Sequence, residues 1–139
     1  MIDFHFESDL VLEDISKFSD WVSRIIEDEN LVVGKLDYVF CYDDKLLAIN
    51  QEYLGHDTYT DIITFDYTDG RVISGDIFIS TDRVRENAKL FLVDEQEELL
   101  RVMSHGILHL AGYEDKSEEE IAVMRAKEEE KIKMFHVEQ

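Results

Sequence analysis

Ser104-His105-Gly106-Ile107-Leu108-His109-Leu110-Ala111-Gly112-Tyr113-Glu114-Asp115 places two imidazoles, a carboxylate and a glycine at spacings that a helix followed by a sharp turn brings together. Upstream, Leu99, Leu100, Val102 and Met103 continue with Ile107, Leu108 and Leu110 at helical period. Asp94, with Glu97 three residues on, predicts a capping box at the start of that helix. His105 and His109 are four apart, so both rings leave one face, one turn above the other. Gly112 offers the left-handed backbone that ends the helix, and the turn can carry Asp115 back to the rings.

Two His and one carboxylate, with space for water, are the ligand set of an open zinc-type site. The spacing H-x-x-x-H-x-x-G-x-x-D is also that of the metzincin peptidases. Those enzymes carry Glu directly after the first His as general base, and here the position is Gly106. The metal-binding half of the motif is present and the peptidase base is absent. The competing reading is a buried helix whose imidazoles bond backbone carbonyls, with Asp115 serving only the turn.

Outward from this helix, Ser117 with Glu120 makes a second capping box, opening a last helix from about Glu118 to Lys133. Before it, Thr81 to Leu92 reads as a helix capped near Thr81 or Asp82. Thr60 to Tyr67 and Arg71 to Ser80 are rich in β-branched and aromatic residues and flank Asp69-Gly70, which predicts a hairpin. Gly55-His56-Asp57 reads as a loop. Asp43 and Asp44 open a short helix carrying Leu46, Leu47, Ile49 and Tyr53. Lys35 to Tyr42 alternates as a strand, and Glu13 to Asn30 carries Ile15, Phe18, Val22, Ile25 and Ile26 at helical period. Met1 to Glu7 alternates too, with Ile2, Phe4 and Phe6 on one side and His5 on the polar side, where it is expected to be solvated. Strands in the first half and helices in the second predict an α+β fold: a small mixed β-sheet of about four strands, packed with helices around a central motif helix.

At 139 residues with 45% hydrophobic composition, one domain spanning 1–139 can bury a single substantial core. No apolar run is long enough for a bilayer, and the N-terminus lacks the order of a signal peptide. The lone cysteine, Cys41, lies in an apolar strand and reads as a core residue, which suits a reducing cytoplasm. A formal charge of -19 repels polyanions at long range unless basic residues gather on one face. Much of the acid falls in Glu118-Glu119-Glu120 and Glu128-Glu129-Glu130, and its segregation in the last helix is expected to leave the cleft less acidic.

With these blocks in view, nearly the whole chain resembles the YbeY family of bacterial endoribonucleases and ribosomal RNA maturation factors. Ile49-Asn50-Gln51-Glu52-Tyr53 is similar to the family's Leu-Asn-x-x-Tyr helix. Thr60-Asp61-Ile62-Ile63-Thr64-Phe65 is similar to its Thr-Asp-Val-Leu-Ser-Phe strand, followed by Gly75-Asp76-Ile77-Phe78-Ile79-Ser80. His105-Gly106-Ile107-Leu108-His109-Leu110-Ala111-Gly112-Tyr113 is close to its His-Gly-x-Leu-His-Leu-x-Gly-Tyr. Two positions depart. Asp115 stands where the family usually has a third His, and a carboxylate can bind zinc as an imidazole does, though it makes the ion a weaker electrophile. Leu54 stands where the family commonly has Arg.

The resemblance implies a metal-dependent endoribonuclease that acts on single-stranded RNA in small-subunit ribosomal RNA processing, in contact with the ribosome. One divalent ion, zinc by preference, would be held by His105, His109 and Asp115, polarising a phosphoryl oxygen or lowering the pKa of its water from ~16 towards 7. Asp61, beside Thr60, is the candidate for a direct catalytic role; as an Asp at a strand start it also suits a turn or cap. Arg83, Arg85 and Lys89 are the candidate RNA contacts, with Arg71 and Arg101 near them; the plainer alternative is a solvated face. Tyr113 is expected to pack beside the turn, and His56 and His136 to be solvated. The alternatives are a ribosome-associated RNA-binding factor with a mainly structural metal, kept open by Leu54 and Asp115, and a metallopeptidase, which Gly106 opposes.

Overall fold

The computed structural model describes residues 1–55 and 59–137. Along the chain run β1 (Ile2–Phe6), α1 (Ile15–Asp28), β2 (Val32–Cys41), α2 (Asp43–Leu54), β3 (Ile62–Asp66), β4 (Val72–Ser80), α3 (Thr81–Phe91), α4 (Glu95–Leu110) and α5 (Glu118–His136). The strands form one sheet in the order β1-β2-β4-β3. β1 and β4 each pair parallel to β2, and β3 pairs antiparallel to β4 as the Asp69-Gly70 hairpin predicts. The sheet is mixed because only a tight turn joins β3 to β4, whereas the parallel neighbours need crossover connections.

Strand alternation sorts the side chains onto two faces. Leu36, Tyr38 and Phe40 of β2 and Ile73, Ile77 and Ile79 of β4 face the large core with Trp21, Val22 and Ile25 of α1 and Leu100, Met103 and Ile107 of α4. Cys41 and Ile63 face the smaller cluster, under Leu46 and Ile49 of α2. Burial pushes the Cys41 thiol up to about 11, as befits a core residue. The aromatic ladder Phe4–Tyr38 and Phe6–Phe40 follows the β1–β2 register, with ring centroids 5.5 Å apart in both pairs. In β3 the same alternation turns Ile62 and Thr64 to the α4 side.

The helix carrying the two His is central, as expected. It packs on β3, β4, α1, α3 and α5, and Tyr38 Oη donates to the Met103 carbonyl at 3.0 Å. Gly106 faces the sheet: a Cβ there would meet Ile62 Cδ1 and Ile77 Cγ2, each at 3.1 Å. The residue that replaces the peptidase base is therefore a point of close approach between helix and sheet.

Several local expectations change. Asp94 is the N-cap of α4 but makes no side-chain capping bond, and the cap of α3 is Ser80, whose hydroxyl accepts from Arg83 N. The box at Ser117 and Glu120 forms in full. His5 donates to Asp37 Oδ1 at 2.8 Å on the neighbouring strand rather than only to water. His136 bonds Glu97 because α5 reaches that far and docks on the start of α4. Tyr113 donates from its hydroxyl to Glu29 at 2.7 Å, so it ties the turn to α1 as well as packing there. His56 lies outside the described residues. No helix among the described residues is long and apolar enough to cross a membrane.

Candidate active site

The helix α4 ends in a Schellman turn, which is what directs the chain back across the imidazoles. Gly112 takes φ 107, its N–H bonds the His109 carbonyl at 3.1 Å, and the Tyr113 N–H bonds the Leu108 carbonyl at 3.0 Å. The His105 and His109 rings lie one turn apart and nearly parallel, with centroids 6.5 Å apart and planes 4° from each other. Asp115 comes round to them: its Oδ2 is 3.3 Å from His105 Nε2.

These three side chains share a cleft of about 360 Å³ with Arg101 and Val102 of α4 and with Thr60, Asp61, Ile62 and Thr64 at the β3 edge. Asp61 thus stands on the wall opposite the imidazoles, where its Oδ2 accepts from Asn87 Nδ2 at 3.4 Å. Arg83, Arg85 and Lys89 do not line the cleft. Arg83 is paired with Asp43, and Arg85 with Asp9 and Glu95. Arg71 bonds the Asn30 carbonyl. Among the described residues, the Lys or Arg that lines the cleft is Arg101.

Glu128 is the residue that sequence reasoning missed. It was expected on an acidic, segregated face of α5; instead it is 2% exposed and accepts from His105 Nδ1 at 2.7 Å. With Nδ1 bonded to Glu128, Nε2 of His105 is left facing Asp115 and the cleft, the arrangement by which a carboxylate orients a metal-binding imidazole. Its other oxygen, Oε1, is 3.5 Å from Arg101 Nη1 and has no hydrogen-bond partner among the described residues. Arg101 also bonds buried Glu98, one turn up α4. The acid run is therefore not segregated from the cleft, because α5 packs on α4 along Met124, Glu128, Lys131 and Phe135, all buried. That i, i+4, i+7, i+11 stripe was the available signal, since it sets Glu128 apart from Glu129 and Glu130.

Burial pulls the His105 imidazolium down, but the bond and charge of Glu128, with Asp115 and Asp61, more than offset it and leave the group above its ordinary value. By type the donors suit a divalent cation: imidazole nitrogen from His105 and His109, oxygen from Asp115, and further carboxylates in Asp61, Glu98 and Glu128. Among the described residues, the donors that lie within 4.8 Å of one another are not the cleft set but Asp28, Glu29 and Glu130. The cations there are Lys131, whose buried side chain puts its ammonium 2.8, 2.7 and 2.9 Å from the three carboxylates, and Lys127, 3.2 Å from Glu29.

Fold and cleft together define a small α+β protein whose cleft is lined by two histidines and a carboxylate. The solution structure of TM1509 from Thermotoga maritima shares the fold, with a TM-score of 0.67 at 26% identity over 97% of this chain and 89% of that one. The family model Endoribonuclease YbeY matches residues 4–136. The Endoribonuclease YbeY of Flavobacterium johnsoniae is 55% identical over 139 residues, all of both chains. That of Christiangramia forsetii is 53% identical over 138 residues, 99% of this chain and 96% of its own. The chain belongs to the YbeY family of endoribonucleases, RNA-cleaving hydrolases.

Proposed function

We propose that this chain cuts single-stranded RNA at the cleft between α4 and the β3 edge, with one divalent ion held by His105, His109 and Asp115, and that its substrate is small-subunit ribosomal RNA precursor at the ribosome, in the cytoplasm. The observation that carries the reading is the meeting of His105 Nε2 and Asp115 Oδ2 at 3.3 Å in an open cleft, with Glu128 holding the opposite ring nitrogen. The two imidazoles and the carboxylate suit zinc best. When bound, such an ion supplies Lewis acidity to a phosphoryl oxygen and acidity to water.

The chain's own groups do the rest. Arg101, held by Glu98 and Glu128, presents fixed positive charge to the phosphate. Asp61, which lines the cleft, takes the proton of the attacking oxygen in this reading. Arg83, Arg85 and Lys89 of α3 act at longer range, because the first two are already engaged by Asp43, Asp9 and Glu95.

The test is metal content and cleavage of a single-stranded RNA, measured on the wild type and on His105→Ala, His109→Ala and Asp115→Ala. One zinc per wild-type chain, chelator-sensitive cleavage, and loss of both in the variants are expected. Cleavage that survives both chelation and His109→Ala would overturn the reading. Unfolding on chelation with no cleavage by the loaded protein would assign the ion a structural role.

A further inference from the structure

Phe91 ends α3 and is 48% exposed, in an apolar run where Leu90 is 73%, Leu92 91% and Val93 44% exposed. Its ring is held in place, because the Arg101 guanidinium carbon lies 5.8 Å from the ring centroid. Arg101 lines the cleft with Asp61, His105 and His109, and is itself pinned by two buried carboxylates. One turn back along the same face of α3, Asn87 bonds Asp61. The Asn87–Phe91 face therefore borders the site at two points.

We propose that Phe91 is a base-stacking platform that takes the face of an unpaired nucleobase adjoining the phosphate in the cleft. The proposal rests on the reading of that cleft as an RNA-cleaving site and adds how the strand is gripped. A chain of formal charge -19 gains little from phosphates at long range. Stacking on an aromatic face is independent of net charge and is worth roughly 5- to 150-fold in affinity per base. The cation–π contact with Arg101 orients the ring while about half of the residue stays open. A duplex keeps its base faces covered by its neighbours, so such a platform selects single strands.

The test uses short single-stranded RNAs carrying one 2-aminopurine, moved position by position and titrated with the full chain in chelator so that the RNA stays intact. At one position the wild type quenches the probe. Phe91→Ala loses the quench and binds about tenfold more weakly, and Phe91→Trp keeps both. In cleavage by zinc-supplemented protein the Phe91→Ala loss falls on KM rather than kcat. An abasic nucleotide at the quenched position costs the wild type about the same tenfold and costs Phe91→Ala nothing further. Wild-type-like quenching and affinity in Phe91→Ala, or an abasic penalty that survives in it, would overturn the platform. Phe91-dependent quenching in a protein that never cleaves leaves the platform standing and removes the catalytic reading. Cleavage with no dependence on Phe91 removes the platform alone.

Discussion

Removing the Glu128 carboxylate should damage metal binding and stability by separable amounts. The side chain is 2% exposed, with one oxygen 2.7 Å from His105 Nδ1 and the other 3.5 Å from Arg101 Nη1. Glu128→Ala leaves the His105 N–H without its acceptor and Arg101 with Glu98 as its remaining buried partner. Breaking a buried pair from one side costs about 3–5 kcal/mol. With a urea slope of roughly 2 kcal/mol per molar for a domain of this size, the unfolding midpoint should fall by about 2 M in chelator. Independently, an imidazole that has lost its orienting carboxylate should bind zinc about 10- to 100-fold more weakly. Glu128→Gln keeps an acceptor oxygen and drops only the charge. It should lose about 1 kcal/mol, the difference between a charged and a neutral hydrogen bond, and so carries the affinity measurement if the Ala variant folds poorly. The assays are urea unfolding of the metal-free protein and zinc competition against a chromophoric chelator. Zinc affinity within twofold of wild type in both variants would refute the orienting role, leaving Glu128 a packing partner.

Gly106→Glu should lower the melting temperature by more than about 10 °C and create no casein-digesting activity, because the new side chain would enter the contact with Ile62 and Ile77 rather than the cleft. Unchanged melting together with casein hydrolysis would contradict this. Lys131→Met should cost about 2 kcal/mol at pH 7, since Asp28 loses its charged partner while Glu29 and Glu130 keep only Lys127; denaturation at pH 7 and pH 4 checks it, with the deficit shrinking in acid. Glu29 is raised by burial but lowered further by bonds from Lys131, Tyr113 and Lys127, to about 2 from an ordinary 4.5. Its contribution, up to about 3 kcal/mol, is therefore present above pH 4.5 and lost as pH falls from there towards 2. Glu29→Gln should flatten that part of the stability–pH curve, and an unchanged curve would count against the assignment. Ser117→Ala should cost about 1 kcal/mol in thermal unfolding by opening the capping box of α5.

Features set by neighbours three to seven residues away were legible in advance. The helical period of α4 put His105 and His109 on one face, Gly112 ended the helix where its conformation was needed, and Asp69-Gly70 joined the β3–β4 hairpin. Even here locality had limits. Asp94 has the right residue three before Glu97 yet makes no capping bond, while Ser80, one residue before the expected position, caps α3.

By itself, then, the sequence determined the mixed α+β composition, the central helix and the pair of imidazoles, because periodicity and turn chemistry act within a few residues. Only the tertiary structure decided the strand order, the pairing of Arg83 and Arg85 with carboxylates, and the place of Arg101 in the cleft with Phe91 against it. It also decided that Glu128, 23 residues from His105, turns inward to hold its ring. Such pairings depend on which helix faces pack together, and that choice belongs to the burial of the whole apolar surface rather than to any one segment.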